Sequence, residues 1–238
     1  MNGFLSALRF ITIIPAGHDT AFEPQKMVPF FPAVGLLLGL IVALFDQIWL
    51  ALFNAPVAGL LDVIVLVVLT GALHIDGLGD SADGLFSHRS LEKKLIIMKD
   101  SRIGMMGLVT VVLVLAIKWA GLSNLSQYRP LAIILIPAFA RSSMLFGFKF
   151  LPYGRPEGGT GHAFFENKTS WTDFWGLIPI VILSFFLGWH GFLLWAGFCL
   201  GTATILWFYK KQLNCITGDM LGAMCEVLEA VLFLLVSI

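Results

Sequence analysis

Residues 30–53 read FFPAVGLLLGLIVALFDQIWLALF. Roughly 20 mostly apolar residues let a helix cross about 30 Å of hydrocarbon, and this run is long enough to do so. Asn54-Ala55-Pro56 is a natural turn after it. A second apolar run over 57–73 then returns, so the two form a helical hairpin. Further apolar runs cover 104–122, 130–150, 174–208 and 219–238, the third of them long enough for two spans with a weak break at Gly188-Trp189-His190-Gly191. The pattern predicts an all-α, polytopic membrane helix bundle with about seven transmembrane helices, forming one domain over 1–238.

Composition agrees. The 238 residues are 58% hydrophobic and 13% charged, with a mean hydropathy of +0.89, against about 45–50% apolar in a water-soluble domain. The formal net charge is zero, so nothing global points to nucleic acid, and local charge placement carries the information. Cys199, Cys215 and Cys225 are odd in number and lack CxxC spacing, which argues against a disulfide framework or a zinc site. Arg9 and Pro15 interrupt the N-terminal apolar stretch and no small-residue cleavage site follows, unlike a secretory signal. Phe4, Leu8 and Ile11 fall on one helical face, which fits an N-terminal interfacial helix and fits an ordinary packing helix equally.

Lysine and arginine accumulate on the cytoplasmic side of short loops. With the N-terminus inside, the cytoplasmic segments hold Arg9, Lys26, Arg89, Lys93, Lys94, Lys99, Arg102, Lys149, Arg155, Lys168, Lys210 and Lys211, twelve of the fifteen basic residues. The outer loops hold only Arg129, and Lys118 and Arg141 lie within spans. This bias predicts a multi-pass membrane protein with every long polar loop in the cytoplasm and chemically bare connections outside.

The densest polar chemistry is His74-Ile-Asp76-Gly-Leu-Gly-Asp80-Ser-Ala-Asp83-Gly84. Aspartates at i, i+4 and i+7 share one face of a helix, so a helix continuing from the second span stacks three carboxylates in a stripe. Like charges so placed repel, and a hard divalent cation such as Mg²⁺ relieves them while leaving coordination positions for substrate phosphates. Gly77, Gly79 and Gly84 weaken a helix, which suits close approach of a ligand to the backbone. A solvated acidic turn is the plainer alternative, but three carboxylates and three glycines exceed what a turn needs.

Other polar groups flank this one. Asp100 can add a metal ligand and Arg102 can pair with phosphate oxygens, although both also suit membrane-boundary charges. Arg141, inside an apolar run, is expected to face a partner or a polar cavity: either it pairs with Asp62 or it binds an anion. The loop from Tyr153 to Gly161, containing Arg155, can wrap a phosphate or serve as a linker. Thr217-Gly-Asp219 opens the last span at a helix N-terminus, which favours anions, and Asp219 either caps that helix or completes the metal site. Glu226 and Glu229 lie one turn apart within the span and are expected to face the bundle interior, neutral or acting as a base. His18, His88, His162 and His190 read as surface or interface residues.

Carboxylates for Mg²⁺, arginines and a glycine-rich loop at a membrane boundary suit phosphoryl transfer from a pyrophosphate donor. Asp80-Ser-Ala-Asp83-Gly84 is similar to the start of the CDP-alcohol phosphotransferase signature, but the rest of that signature is missing. Together, residues 74–86, residues 97–104 (IMKDSRIG) and residues 217–222 (TGDMLG), with Glu226 and Glu229, resemble the cobalamin (5′-phosphate) synthase, or adenosylcobinamide-GDP ribazoletransferase, family in order and spacing across nearly the whole chain. The resemblance implies an integral membrane, Mg²⁺-dependent transferase acting late in vitamin B12 biosynthesis. Such an enzyme joins α-ribazole or its 5′-phosphate to adenosylcobinamide-GDP and releases GMP. Carried over by position, Asp76, Asp80 and Asp83 are metal ligands, and Asp100, Arg102, Arg155 and Asp219 surround the pyrophosphate. The full candidate set is then His74, Asp100 and Arg102 as catalytic groups, with His74 chosen as base from its position alone. Arg141, Arg155, Thr217, Asp219 and Glu226 are the substrate-binding candidates. The expected partners are these small molecules and the lipid bilayer, with no nucleic acid, and an oligomer is compatible with the sequence. A transporter built around Asp62, Arg141, Glu226 and Glu229 is the rival from another class. It would place its site at the bilayer midplane between repeats, whereas no internal repeat is visible and the acidic cluster sits at one boundary.

Overall fold

A computed structural model of the chain describes residues 3–17, 23–155 and 161–238. They form an all-helical bundle. A short helix α1 (Gly3–Ile11) buries Ala7, Leu8 and Ile11 against the start of the long third helix, while Arg9 stays at the surface. One turn, α2 (Pro24–Met27), leads into α3 (Phe31–Leu52), and α4 (Ala55–Leu69) returns from it. The hairpin forms where expected: Asn54 accepts a hydrogen bond from Val57 N at 3.2 Å and Pro56 stands in the first turn, where its missing N–H costs nothing.

The next step differs from the expected straight continuation. Thr70 ends α4 with its hydroxyl on the carbonyls of Leu66 and Val67, and Gly71 and Ala72 both take φ of 58°. A left-handed pair cannot continue a right-handed helix, so α5 (Leu73–Leu85) departs at 89° to α4. After α6 (Leu91–Ile97) come α7 (Met105–Asn124), α8 (Arg129–Phe150), the short α9 (Leu177–Ser184), α10 (Trp189–Gln212) and α11 (Gly218–Val236).

Among the described residues, four helical stretches are long and apolar enough to cross a membrane: 24–52, 105–124, 129–150 and 189–212. The bent α4–α5 pair makes five if it counts as one span. The expected seven is therefore too many by this measure. The stretch around α9 is short, and α11 carries three acids, Asp219, Glu226 and Glu229, on a helix buried along most of its length. Leu44, Ile48, Leu113, Phe185 and Leu200 on the outward faces are exposed, as lipid-facing side chains are.

The bundle centre is α8, packed between α3 and α11. Gly35 and Gly39, four apart on α3, lie so close to the α8 backbone at Ile134 and Ala138 that a Cβ on either would clash, the small-xxx-small contact of membrane helices. Two ion clusters are buried with the apolar core. In one, Arg129 contacts Asp46 at 2.7 Å and Asp62 at 3.4 Å. In the other, Lys118 on α7 lies 2.6 Å from Glu226 and 2.8 Å from Glu229, and Arg141 on α8 lies 2.5 Å from Glu229. Arg141 is thus paired with Glu229, while Asp62 belongs to Arg129. The end of the bundle expected to be chemically bare carries a buried ion cluster, because a charged helix terminus such as Arg129 enters the bundle once acids on two neighbouring helices meet it.

Candidate active site

Helix α5 forms over the acidic run, with its stripe as predicted: Asp76 is exposed and Asp80 and Asp83 are partly exposed, while His74, Gly77, Leu78, Ser81 and Ala82 are buried. The helix lies across the first turns of α11. A Cβ at Gly77 would come within 2.8 Å of Asp219 O, and one at Gly84 would collide with Met98. These two glycines therefore serve helix packing rather than the ligand approach expected of them. A Cβ at Gly79 meets no atom closer than 3.8 Å.

Two opposed elements fill out the site. Thr217 caps α11, accepting from Met220 N at 3.3 Å, which sets Asp219 in the first turn facing α5. Arg155 reaches over from the loop after α8, donating to Asp219 Oδ2 at 2.7 Å and to Met98 O at 3.2 Å. That loop is held by pairing of Gly154 N with Ile216 O and of Ile216 N with Pro152 O, each at 2.9 Å. Asp80 is acted on by three carboxylates, Asp76, Asp219 and Asp83, and by one cation, Arg155.

Asp83 has a different task from the other two aspartates. Its oxygens accept from Gly104 N at 2.6 Å and Gly107 N at 2.8 Å, so it caps α7 from a neighbouring helix. Cβ atoms at Gly104 or Gly107 would occupy the space of that carboxylate. The glycines at 104 and 107 leave the room for this contact. Among the described residues, no three His, Cys, Asp or Glu side chains gather closely enough to hold a metal ion unaided. A preformed cage of Asp76, Asp80 and Asp83 is therefore absent among them. The donor set still fits Mg²⁺, which is commonly held by one or two carboxylates with substrate phosphates completing its shell. Asp76 and Asp80, one helical turn apart and close enough to Asp219 for their charges to interact, are the hard oxygens available to such an ion, with Arg155 as the neighbouring cation.

Asp100 and Arg102 pair with each other at 2.6 Å at the protein surface. Hydrogen bonds from Arg102 hold the Asp100 carboxyl well below the usual range, at about 2. They lie in the loop that joins α6 to the Asp83-capped end of α7. His74 is 2% exposed, its Nδ1 is 3.9 Å from Glu226 Oε1, and neither ring nitrogen has a hydrogen-bond partner among the described residues. Glu226 and Arg141, both expected to bind substrate, are instead buried in the ion cluster with Lys118 and Glu229. The sequence shows Lys118 only as a basic residue within a span, and its role in holding α7 to α11 is visible in the structure alone. Of the Tyr153–Gly161 loop, residues 156–160 lie outside the described residues, as does His18.

Residues 3–237 match the family described as Cobalamin-5-phosphate synthase. Among curated proteins, the chain is similar to adenosylcobinamide-GDP ribazoletransferase of Brevibacillus brevis, 36% identical over 98% of this chain and 97% of the relative. The protein of that name from Alkaliphilus metalliredigens is 35% identical over 96% and 92%, and that from Chlorobaculum tepidum is 31% identical over 100% and 96%. No solved structure matches.

Proposed function

The chain belongs to the cobalamin-5-phosphate synthase family, and on that premise we propose that it transfers α-ribazole, or its 5′-phosphate, onto adenosylcobinamide-GDP with release of GMP. The observation that carries this reading is the meeting of Asp76, Asp80 and Asp219 with Arg155 beside the N-terminus of α11. In the reaction a ribazole hydroxyl oxygen bonds to the cobinamide-side phosphorus. The anhydride bond to GMP breaks, its electron pair leaves with GMP, and the hydroxyl proton passes to a base. Asp76 and Asp80 would hold Mg²⁺, which would supply charge neutralisation at the pyrophosphate. Arg155 is placed to donate to phosphate oxygens once released in part from Asp219, and the amide groups at the start of α11 favour the same anion. His74, which lines the same cavity as Asp76 and whose ring nitrogens have no hydrogen-bond partner among the described residues, is our proposed acceptor of the hydroxyl proton. Asp100 and Arg102, in the loop just after Met98, whose carbonyl accepts from Arg155, are the proposed further groups at the pyrophosphate.

The bias of lysine and arginine further supports a cytoplasmic-membrane protein with this site facing the cytoplasm, where nucleotide substrates are found. The decisive assay uses purified protein in lipid vesicles with adenosylcobinamide-GDP, α-ribazole phosphate and Mg²⁺. GMP release that stops on chelation and resumes on adding Mg²⁺ is the expected result. Folded, inserted protein that releases no GMP refutes the transferase reading, and release that persists through chelation refutes the metal.

A further inference from the structure

Beside the carboxylates is a cavity of about 140 Å³ that the transfer chemistry does not by itself use. Its apolar lining includes Phe10, Phe31, Phe148 and Phe164, contributed by α1, the start of α3, the end of α8 and the turn after the Arg155 loop. Their rings form a contiguous set: Phe10 and Phe164 have centroids 5.0 Å apart, and Phe148 and Phe164 stack at 5.5 Å with planes 21° apart. Its polar part is formed by His74, Asp76 and Asp219, of which Asp76 and Asp219 belong to the carboxylate group described above. His74 is buried there with both nitrogens unpartnered among the described residues, an arrangement that leaves a polar group without compensation until a ligand supplies it. At Gly218, also on this rim, an added Cβ would meet no atom within 4 Å, so the polar end has room for a further group.

We infer that this cavity receives the planar aromatic base of the ribazole substrate, seated among the phenylalanine rings, with its sugar at the His74–Asp76–Asp219 end. The inference rests on the transferase reading above and adds to it where the acceptor sits and what selects it. An apolar cavity of roughly 150 Å³ is the size that takes up a benzene ring in a protein core, so one here holds a small aromatic ring system whose remainder extends through the open end. The corrin macrocycle is far too large for it. Guanine is flat enough, but its edge carries several donors and acceptors, and four phenylalanines would leave them unpaired at a cost to binding. A benzimidazole exposes almost no polar edge beyond its ring nitrogens, and ring-on-ring contact with phenylalanine is favourable. A lipid acyl chain would fill the apolar end and leave His74 unanswered. Seating the base here directs the attached ribose hydroxyls toward the carboxylates and His74, which is where the reacting oxygen has to be.

Binding of α-ribazole and of GDP, each alone, is measured by equilibrium dialysis on the full-length protein in lipid nanodiscs. Phe148→Leu is expected to weaken α-ribazole at least tenfold and to leave GDP within twofold. The wild-type protein is expected to prefer α-ribazole at least tenfold over the corresponding adenine riboside, whose polar edge the phenylalanines cannot satisfy. Unchanged α-ribazole affinity in Phe148→Leu, or weakening of GDP alone, overturns the assignment. If that variant misfolds and loses both ligands, the riboside comparison on wild-type protein decides, and equal affinity for the two ribosides overturns it. Wild-type GMP release together with either overturning result removes this subsite and leaves the transferase reading standing. Absence of GMP release strikes that reading itself.

Discussion

Replacing Lys118 with Met tests whether the buried ion cluster is as tightly knit as its geometry indicates. The Lys118 side chain is 1% exposed and its Nζ serves two carboxylates, Glu226 at 2.6 Å and Glu229 at 2.8 Å, themselves 4% and 0% exposed. Glu229 keeps Arg141 at 2.5 Å, but Glu226 is left beside His74 with no cation. Removing one partner of a buried pair costs about 3–5 kcal/mol, because the remaining charge stays desolvated and unanswered, and at membrane depth water does not easily reach it. Glu226→Gln alone strips one of Lys118's two partners and costs somewhat less, since Glu229 still holds the ammonium. The double variant Lys118→Met/Glu226→Gln removes one charge of each sign and leaves Arg141 with Glu229. It is expected to be more stable than the sum of the two single losses by about 2–3 kcal/mol, near the upper range for residues in contact. Reversible unfolding in mixed micelles, titrated with a denaturing detergent, measures all four corners of the cycle. Additive losses within about 0.5 kcal/mol would mean that the two side chains do not interact, and the cluster would be wrong.

Asp80→Asn and Asp83→Asn should behave differently. The first is expected to abolish GMP release while leaving stability unchanged or slightly raised, since it removes one of several mutually repelling carboxylates. The second should cost about 1 kcal/mol of stability through the weakened cap and speed amide exchange at the start of α7, and equal stability of the two variants would remove the capping role. Arg155→Ala is expected to raise the KM for adenosylcobinamide-GDP by about tenfold to a hundredfold, the range for losing a charge-assisted hydrogen bond, and an unchanged KM takes Arg155 off the pyrophosphate. A tag inserted at Asn124, between α7 and α8, is expected to react with an impermeant label from outside the cell. Labelling only after permeabilisation would reverse the orientation.

Much of the site was legible because its chemistry is local. The i, i+4, i+7 spacing of Asp76, Asp80 and Asp83 needs only a helix to become a stripe, and α5 is that helix. Thr217 and Asp219 were readable as the opening of α11 for the same reason. What the sequence hid depends on pairs far apart in the chain. Nothing near Asp83 announces that its oxygens go to Gly104 and Gly107, more than twenty residues on. Lys118 and Arg141 each looked like a solitary charge in an apolar run, and only the packing of α7 and α8 on α11 shows that Glu226 and Glu229 answer both. The span count of seven is not confirmed, because the stretch around α9 is short and α11 carries three acids, while two successive left-handed residues at 71 and 72 turn the α4–α5 segment through 89°. The aromatic cavity was invisible because Phe10, Phe31, Phe148 and Phe164 come from four separate segments.

These pairings also separate acids that hold the bundle together from acids that act on a ligand. Glu226 and Glu229 are matched by Lys118 and Arg141, one cation for each anion. Asp46 and Asp62 meet Arg129 inside the bundle, and Asp83 spends both oxygens on backbone N–H groups. Of these carboxylates only Asp62, which shares Arg129 with Asp46 and whose Oδ1 has no partner among the described residues, lacks full compensation, and it is buried inside the bundle. Asp76, Asp80 and Asp219 are short of positive charge at a more open site, since among the described residues Arg155 is the one cation acting on Asp80. A surplus of negative charge at the rim of a partly buried site is unfavourable for the empty protein and becomes favourable only when a cation arrives. Binding Mg²⁺ with a pyrophosphate brings both the cation that the carboxylates need and the anion that Arg155 and the start of α11 need. On this account metal and donor should each tighten the other's binding, because neither alone balances the site.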